Sequence, residues 1–380
     1  MQALNKADST TDVIVVGAGI VGLACALVAV EQGLSVQVVE REAFCTGASI
    51  RNFGFVTVTG QGSGATWRRA RRSRDIWAHI APQAGIAVEH TGLYVLAQRA
   101  EATAVLRELL LTEEGAALTW LAPDRLRRQA PHLAHAHIQG ALYSPHELRV
   151  EARFAIEKLR LWLASRGVRF HMGQAVQKVE SGLVHLDGRE LRAERIVVCP
   201  GADLKSLFPQ AFTKYKTQLC QLQMLRIRPP RAYQLGAAVM SDLSLVRYRG
   251  FYELPGGQRL EDRLRQEVPR ALQHGIHLIV VQGSDGSLVV GDSHQYGEAI
   301  PPFVPAEAEE LILAEMQRML CLGHYQVEER WTGIYPSGSQ DAFFETVLPD
   351  VQLLSVTSGT GMSTAFALAE ECLMGERIAT

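Results

Sequence analysis

The cysteines of this chain are few and scattered. None of the six forms a C-x-x-C pair, which argues against both a disulfide framework and a zinc site. Neither sign of charge dominates, because 38 basic residues oppose 40 acidic ones, so composition gives no reason to expect nucleic acid or an anionic membrane as partner. Residues 1–10 lack the basic and apolar regions of a secretory signal. We expect them to be a flexible tail and the protein to be cytoplasmic.

An apolar run over residues 13–30 is long enough to raise the question of a membrane span, at about eighteen residues. It is broken by glycines at G-x-G-x-x-G spacing, and polar residues follow it directly. A better interpretation is a buried strand over residues 12–16, a tight turn, and a helix that ends near Gly33. We therefore predict no membrane span.

The glycines then have separate tasks in a strand–turn–helix unit. Gly17 permits the tight turn, Gly19 lets a ligand approach the backbone, and Gly22 lets the helix pack closely on the strand. A second strand, residues 34–39, leads to Glu40, where a βαβ unit bonds ribose hydroxyls. This order of elements predicts a dinucleotide-binding site, with pyrophosphate at the helix N-terminus. It does not by itself separate NAD from FAD.

Two further segments bear on the cofactor. A small-residue loop, GASIRNFGFV, covers residues 47–56, and an apolar strand near the end of the chain leads into the glycine loop 359–363 and a helix. The glycine loop can aim backbone N–H groups at one more anionic group. No second G-x-G-x-x-G follows a strand, so we do not expect NADPH as a direct second substrate. The glycine-rich segment 60–64 is expected to be a flexible loop near the active site.

With these motifs the chain resembles the flavin amine oxidoreductases related to D-amino acid oxidase, glycine oxidase and sarcosine oxidase. The resemblance rests on GAGIVG with Glu40, SIRNFG (49–54), IVVCPGA (196–202), WTG (331–333) and SGTGMS near the C-terminus. It implies an FAD-dependent enzyme of the α/β class. The fold would be a Rossmann-type FAD-binding domain of the glutathione-reductase-like, D-amino acid oxidase type, plus an α+β substrate domain with a mixed or antiparallel sheet.

The resemblance also divides the chain. Residues 11–80, 145–217 and 330–380 would form a discontinuous FAD-binding domain, and residues 81–144 and 218–329 the substrate-binding domain. Residues 218–295 read as several strands separated by turns. Some relatives bind FAD through a cysteine just after W-x-G; no cysteine stands there in this chain, so we expect non-covalent FAD.

The cofactor-binding residues that the motifs and the resemblance imply include the backbone at Val176 beside the adenine and the last glycine loop under the pyrimidine side of the flavin. The predicted FAD-binding set is Gly17, Ala18, Gly19, Ile20, Val21, Gly22, Glu40, Arg41, Ala48, Ser49, Arg51, Asn52, Phe53, Gly54, Val176, Pro200, Gly201, Trp331, Gly333, Tyr335, Gly359, Thr360, Gly361, Met362 and Ser363.

Amine oxidation by a flavin needs a C–H bond held over flavin N5, so that a hydride leaves and an imine forms, which water hydrolyses. In amino-acid-oxidising relatives the motif W-x-G-x-R supplies an arginine that clamps the substrate carboxylate. This chain has Tyr335 at the arginine position. One hydroxyl is a poor substitute for a bidentate guanidinium, so an ordinary α-amino acid is disfavoured as substrate.

The chain also resembles a subgroup associated with aminophosphonate breakdown, in the sequences of three segments: SIRNFGFVTVTGQ, CQLQMLR and GSLVVGDSHQYG. That resemblance implies oxidation of 2-aminoethylphosphonate, or an N-methyl or hydroxylated variant, to an aldehyde such as phosphonoacetaldehyde plus ammonia or methylamine. A tetrahedral phosphonate suits donors from several directions. The candidate substrate contacts are Arg51, Arg247, Tyr248, Arg249, Tyr252, His294, Tyr296 and Tyr335.

Other interpretations stay open at this point. The chain could be an oxidase of glycine, sarcosine or a D-amino acid with a carboxylate clamp elsewhere, a flavin module acting on tRNA, or a non-catalytic flavin subunit of a larger complex. The electron acceptor is oxygen or an electron carrier, and the protein is expected to be a monomer or homodimer. The five arginines of residues 67–80 are assigned to the solvent side of a helix, and no metal is expected at His132, His135 and His137.

Overall fold

The computed structural model describes residues 10–133, 135–230 and 233–375. The predicted tail therefore lies, except for Thr10, outside the described residues. The strands are β1 (Thr11–Val16), β2 (Val36–Glu40), β3 (Phe55–Val56), β4 (Val88–Ala97), β5 (Thr119–Leu121), β6 (Gly140–Val150), β7 (Arg169–Met172), β8 (Lys178–Glu180), β9 (Leu183–Leu186), β10 (Arg189–Val198), β11 (Gln218–Arg228), β12 (Ala238–Met240), β13 (Ile279–Gln282), β14 (Leu288–Gly291), β15 (Gln295–Gly297), β16 (Gln326–Leu348) and β17 (Val351–Ser358).

The helices lie on both halves of the molecule, and short 3-10 turns at 48–50, 113–115, 131–133 and 242–246 supplement them. The α-helices are α1 (Ile20–Glu31), α2 (Ala65–Gln83), α3 (Ala100–Leu109), α4 (Pro123–Gln129), α5 (Ala152–Ser165), α6 (Pro209–Lys214), α7 (Arg249–Tyr252), α8 (Gly257–Glu267), α9 (Pro269–Gln273), α10 (Ala306–Met319) and α11 (Gly361–Met374).

The N-terminal strand lies at the centre of a parallel unit. β1 pairs in parallel with β2 on one side and β10 on the other, and the unit extends to β7 beyond β2 and to β17 beyond β10. Residues 13–16 are all buried. Val13 and Val15 pack in a cluster with residues of α1, α5 and α11, and Ile14 and Val16 pack in a cluster with residues of β8, β9 and β10. Both faces of this strand are therefore covered, which explains its apolar run. The predicted βαβ unit is confirmed, with β2 two residues later than expected.

The second half is a mixed sheet, as predicted. The long strand β16 pairs antiparallel with β17 and with β11. From β11 the path continues through β14, β13 and β12 to β4 and β6. β16 thus joins the parallel unit and the mixed sheet into one hydrogen-bonded sheet. The edge strand β17 of the parallel unit and the strand β11 of the mixed sheet both pair with it.

The arginine-rich helix α2 packs its apolar stripe inward, as the sequence predicts. Trp67, Ala70, Trp77 and Ile80 are buried, and the Trp77 indole N–H donates to the Met362 carbonyl at 2.9 Å. Of the five arginines, Arg71 and Arg72 are exposed as expected, whereas Arg68, Arg69 and Arg74 are half-buried. Arg69 and Arg72 pair with carboxylates of α11. α2 therefore fixes the start of α11, which carries the last glycine loop at its N-terminus.

Two local expectations were wrong. Residues 249–273, which the sequence predicts as part of a strand-rich region, contain the helices α7, α8 and α9; Leu260 and Leu264 are buried one turn apart, which is helical spacing. The segment 60–64 is not a loose flap. Its Gly60 carbonyl accepts the Gly250 N–H at 3.0 Å, and Gln61 is buried, because α7 packs directly on this turn.

None of the helices in the described parts of the chain is both long and apolar enough to span a membrane.

Candidate functional site

The turn between β1 and α1 is shaped by backbone contacts that only glycine permits. A Cβ on Gly22 would lie 1.9 Å from the Gly17 carbonyl oxygen, and a Cβ on Gly17 would lie 2.3 Å from the Cys199 carbonyl oxygen. Gly17 also has φ of +106°, a conformation that side chains disfavour. The helix can therefore sit directly on the strand, with its N-terminus open toward a ligand.

Glu40 and Ser49 complete this end. The Glu40 carboxylate accepts the Ala18 N–H at 2.8 Å and the Glu42 N–H at 3.0 Å. The Ser49 hydroxyl oxygen accepts the Ile20 N–H at 2.9 Å. Side chains from two later segments thus hold the glycine turn in its binding conformation.

A cavity of about 530 Å³ starts at this turn and runs past the last glycine loop into the mixed-sheet half. Most of the predicted FAD-binding residues line it. These are Gly19, Ile20, Val21, Gly22, Ala48, Ser49, Arg51, Asn52, Phe53, Gly201, Gly333, Tyr335, Gly359, Thr360, Gly361, Met362 and Ser363.

The other predicted FAD-binding residues lie outside this lining. Gly17 and Ala18 belong to the turn but do not line the cavity, and Glu40 supports the turn by accepting the Ala18 N–H. A Cβ on Gly54 would lie 1.8 Å from the Val150 carbonyl oxygen, so Gly54 serves packing. Trp331 donates its indole N–H to the Arg51 carbonyl at 3.2 Å. The remaining three are Arg41, which pairs with Asp203; Val176, which is half-buried against a cluster that includes residues of β8 to β10; and Pro200, beside Cys199.

The last glycine loop meets the Tyr335 ring. Gly359 has φ of +73°, and a Cβ there would lie 3.0 Å from Cζ of Tyr335. The Ser363 hydroxyl, in the first turn of α11, accepts the Thr57 N–H at 2.9 Å. The open N-terminus of this 14-residue helix faces the same cavity and favours negative charge there.

Arg247 is the half-buried cation of the substrate side. Its Nη2 donates to the Tyr335 hydroxyl at 3.1 Å, and its Nε has no hydrogen-bond partner. Burial alone would lower the pKa of this guanidinium, but Tyr335, Tyr296 and Cys220 outweigh burial and raise it. The group is therefore charged at every working pH, with hydrogen-bonding capacity left for an anion.

His277, Asp292 and His294 converge on the same wall of the cavity. Residues 277 and 292 exchange backbone hydrogen bonds at 2.9 and 3.2 Å, and the His294 N–H donates to the His274 carbonyl. This pairing, next to the β13–β14 hairpin, brings the side chains together: His277 Nε2 lies 2.9 Å from Asp292 Oδ1, and the imidazole rings of His277 and His294 stack at 4.9 Å.

The predicted substrate contacts differ in whether they line the cavity. Six of them line the cavity together with Arg247: Arg51, Tyr248, Arg249, Tyr252, His294 and Tyr335. Arg249 lies toward the mouth, with its side chain 48% exposed and paired with Glu253 and Asp341. Tyr296 lies outside the lining and is 45% exposed; its ring stands 6.2 Å from that of His294.

Sequence reasoning missed His277 and Asp292. His277 lies just before the apolar strand β13, and Asp292 follows the apolar strand β14. A buried polar residue in such a position indicates a functional site. The ligating atoms of His277, Asp292 and His294 all lie within 4.8 Å of one another, the only such group in residues 10–133, 135–230 and 233–375. That convergence was not anticipated, and the expectation of no metal ion stays a prediction.

The fold and the glycine-built cavity define a dinucleotide-dependent enzyme, and comparison with known proteins names the family. The chain matches the DAO family, "FAD dependent oxidoreductase", over residues 12–373. It belongs to that family. It is an FAD-dependent oxidoreductase, and its glycine cradle fits FAD. No curated protein sequence matches the chain significantly.

Solved structures share the fold at low identity. Glycine oxidase from Bacillus cereus ATCC 14579 is 18% identical, with a TM-score of 0.76 and coverage of 97% of this chain and 96% of that one. L-proline dehydrogenase from P. horikoshii is 16% identical, with a TM-score of 0.79 and coverage of 97% and 95%. Iminodiacetate oxidase from Chelativorans sp. BNC1 is 17% identical, with a TM-score of 0.72 and coverage of 96% and 95%.

Proposed function

We propose that this enzyme oxidises the C–N bond of a small aminophosphonate, 2-aminoethylphosphonate or an N-methyl or hydroxylated variant, to an aldehyde and ammonia or methylamine. Names of structural neighbours, among them glycine oxidase and iminodiacetate oxidase, support amine oxidation as the reaction class. The choice of a phosphonate as the anionic group of the substrate is argued from the side chains of this protein.

The observation that carries the proposal is the pair Arg247 and Tyr335. The W-x-G-x-R position holds a tyrosine, and the cation comes instead from Arg247, in the segment before α7. Arg247 bonds the Tyr335 hydroxyl at 3.1 Å and keeps an unpartnered Nε. Around it stand the phenols of Tyr248 and Tyr335, whose pKa values burial raises, so both stay protonated and able to donate. Donors from several directions match a tetrahedral anion.

The remaining tasks of the protein are to orient the substrate and exclude water. FAD, when bound, supplies the hydride acceptor. Arg247, Tyr248 and Tyr335 would hold the anionic tail, so that the carbon next to nitrogen reaches the flavin. The turn at Gln61, packed on α7, covers part of the same cavity and keeps it dry.

Anaerobic reduction of the enzyme-bound flavin tests the proposal. The panel is 2-aminoethylphosphonate, its N-methyl form, glycine, sarcosine and D-alanine, followed at the flavin band near ~450 nm. We expect fast bleaching by the phosphonates. Bleaching by the carboxylates alone would mean that Arg247 clamps a carboxylate, and the alternative of a glycine, sarcosine or D-amino acid oxidase would replace this proposal.

We propose further that FAD is held non-covalently. Cys321 is exposed in the loop after α10, and the residues that follow WTG in β16 include no cysteine. Acid precipitation should leave the flavin in the supernatant. Flavin that stays with the precipitated protein would contradict this.

A further inference from the structure

The cavity that holds Arg247 is also lined by a buried carboxylate, Asp292. The Asp292 side chain is 4% exposed, and its Oδ1 lies 2.9 Å from Nε2 of His277. A buried carboxylate is costly unless charged or donating groups surround it, so a cationic ligand that reaches it through the cavity would be bound strongly.

His294 offers a second acceptor beside it. Its Nδ1 lies 3.0 Å from the Gly275 carbonyl oxygen, which only accepts, so Nδ1 carries the proton and Nε2 holds a lone pair. Burial lowers the pKa of this imidazole to about 3, so the ring is neutral at working pH. This part of the wall therefore presents two acceptors.

From this geometry we propose that Asp292 and His294 form the subsite that receives the substrate's amino group as an alkylammonium. The inference deepens, and rests on, the proposed function. Asp292 supplies the opposite charge, and both residues accept N–H hydrogens. His277, whose Nε2 lies 2.9 Å from Asp292 Oδ1, is a positioning residue that orients the carboxylate.

The pair of charges in one cavity supports the assignment. Arg247 and Asp292 both line it, so the wall carries one cation and one anion. A zwitterion with an ammonium at one end and an anionic tail at the other complements both. The same positive charge of Arg247 opposes a divalent metal at His277, Asp292 and His294, because like charges repel strongly in a buried site.

The test compares ligands that differ only in the amine. With the FAD-loaded enzyme, the half-saturation concentration of 2-aminoethylphosphonate in anaerobic flavin reduction is measured beside the inhibition constant of ethylphosphonate. We expect Asp292→Asn to weaken binding of the amine ligand by at least ~30-fold, as for a truncated buried charge pair, and that of ethylphosphonate by less than ~3-fold. Asp262→Asn, an exposed carboxylate on α8, is the charge-matched control and should change neither value.

A measurement on the unaltered enzyme covers the case in which Asp292→Asn fails to fold. The trimethylammonium analogue of 2-aminoethylphosphonate keeps the charge but has no N–H donor, so it should bind at least ~10-fold more weakly than the parent. Equal binding of the two would overturn the proposal. So would equal effects of Asp292→Asn on 2-aminoethylphosphonate and ethylphosphonate, or a stoichiometric divalent metal in purified protein that Asp292→Asn loses.

Failure of the proposed function gives a different result. If glycine reduces the flavin and the phosphonates do not, the substrate assignment is wrong, and the pair glycine and acetate replaces the phosphonate pair. A selective loss of glycine binding in Asp292→Asn would then still support the amine subsite. An unselective effect would overturn it as well.

Discussion

The two ends of the long cavity are lined by different kinds of structure. At the cofactor end the lining is built around two glycine turns, residues 19–22 and residues 359–363, each of which opens a helix toward the cavity. At the substrate end the surface is made of side chains, and Arg247, Asp292 and Tyr335 come from separate segments of the chain.

The difference determines how each end can change. A backbone cradle recognises a feature common to many enzymes, a pyrophosphate at a helix N-terminus, and tolerates almost no substitution at its glycines. A side-chain pocket can change its ligand by one replacement, as the tyrosine at the usual arginine position illustrates. The following predictions probe the two ends in order of expected effect.

The largest effect is expected at Gly22. In Gly22→Ala the new Cβ would meet the Gly17 carbonyl oxygen at 1.9 Å, so α1 must move off β1. FAD affinity should fall by at least ~100-fold, measured as flavin-to-protein absorbance after reconstitution. Gly33→Ala is the control: its Cβ meets nothing within 4 Å, and its positive φ alone should cost about 1 kcal/mol. Equal FAD content in both variants would contradict the cradle.

Arg247 should give the next largest effect. Arg247→Met removes the guanidinium but keeps an unbranched stem of similar shape, so KM for the anionic substrate should rise by ~100-fold, with a smaller change in kcat. Arg249→Gln is the matched control at the mouth, where the side chain is 48% exposed, and should change KM by less than ~3-fold. If Arg249→Gln proved the more damaging variant in steady-state kinetics, the anion would bind at the mouth.

Tyr335→Phe deletes one hydroxyl next to that cation. Since a hydrogen bond to a charged group is worth about 1.5–3 kcal/mol, kcat/KM should fall by at least ~10-fold. Tyr296→Phe, outside the cavity lining and 45% exposed, should lower it by less than ~2-fold. Equal losses in the two variants would mean that Tyr335 has no special place in tail binding.

The smallest effect concerns stability at low pH. Burial lowers the pKa of His294 to about 3, whereas an unfolded histidine titrates near about 6.5. Below that pH the unfolded chain takes up a proton that the folded state does not, so His294 destabilises the fold as pH falls toward 3. At pH 5 this amounts to about 1–2 kcal/mol, which His294→Gln would remove.

Urea unfolding at pH 7 and pH 5 checks that expectation. The loss of unfolding free energy between the two pH values should be smaller in His294→Gln than in the unaltered protein. His324→Gln, at an exposed position, serves as control and should show the full loss. An equal loss in all three proteins would show that His294 is not buried in its neutral form.

Much of the fold followed from local patterns. The βαβ unit was predicted nearly to its bounds, and the stripe Trp67, Ala70, Trp77 and Ile80 is buried as expected. The sequence does not predict the helices at 249–273, because they are short and lie between segments with strand patterns. It predicts a flexible loop at 60–64, because glycine content does not show that α7 packs on this turn.

The sequence by itself determined the cofactor end of this protein. Gly17, Gly19, Gly22 and Glu40 stand within one βαβ unit, and the steric demands of a tight turn and of a helix resting on a strand act over a few residues. Only the tertiary structure decided the substrate end. There, Arg247 meets Tyr335, and His277 meets Asp292, through pairing of strands and packing of α7, and no local spacing encodes contacts between side chains so far apart in the chain.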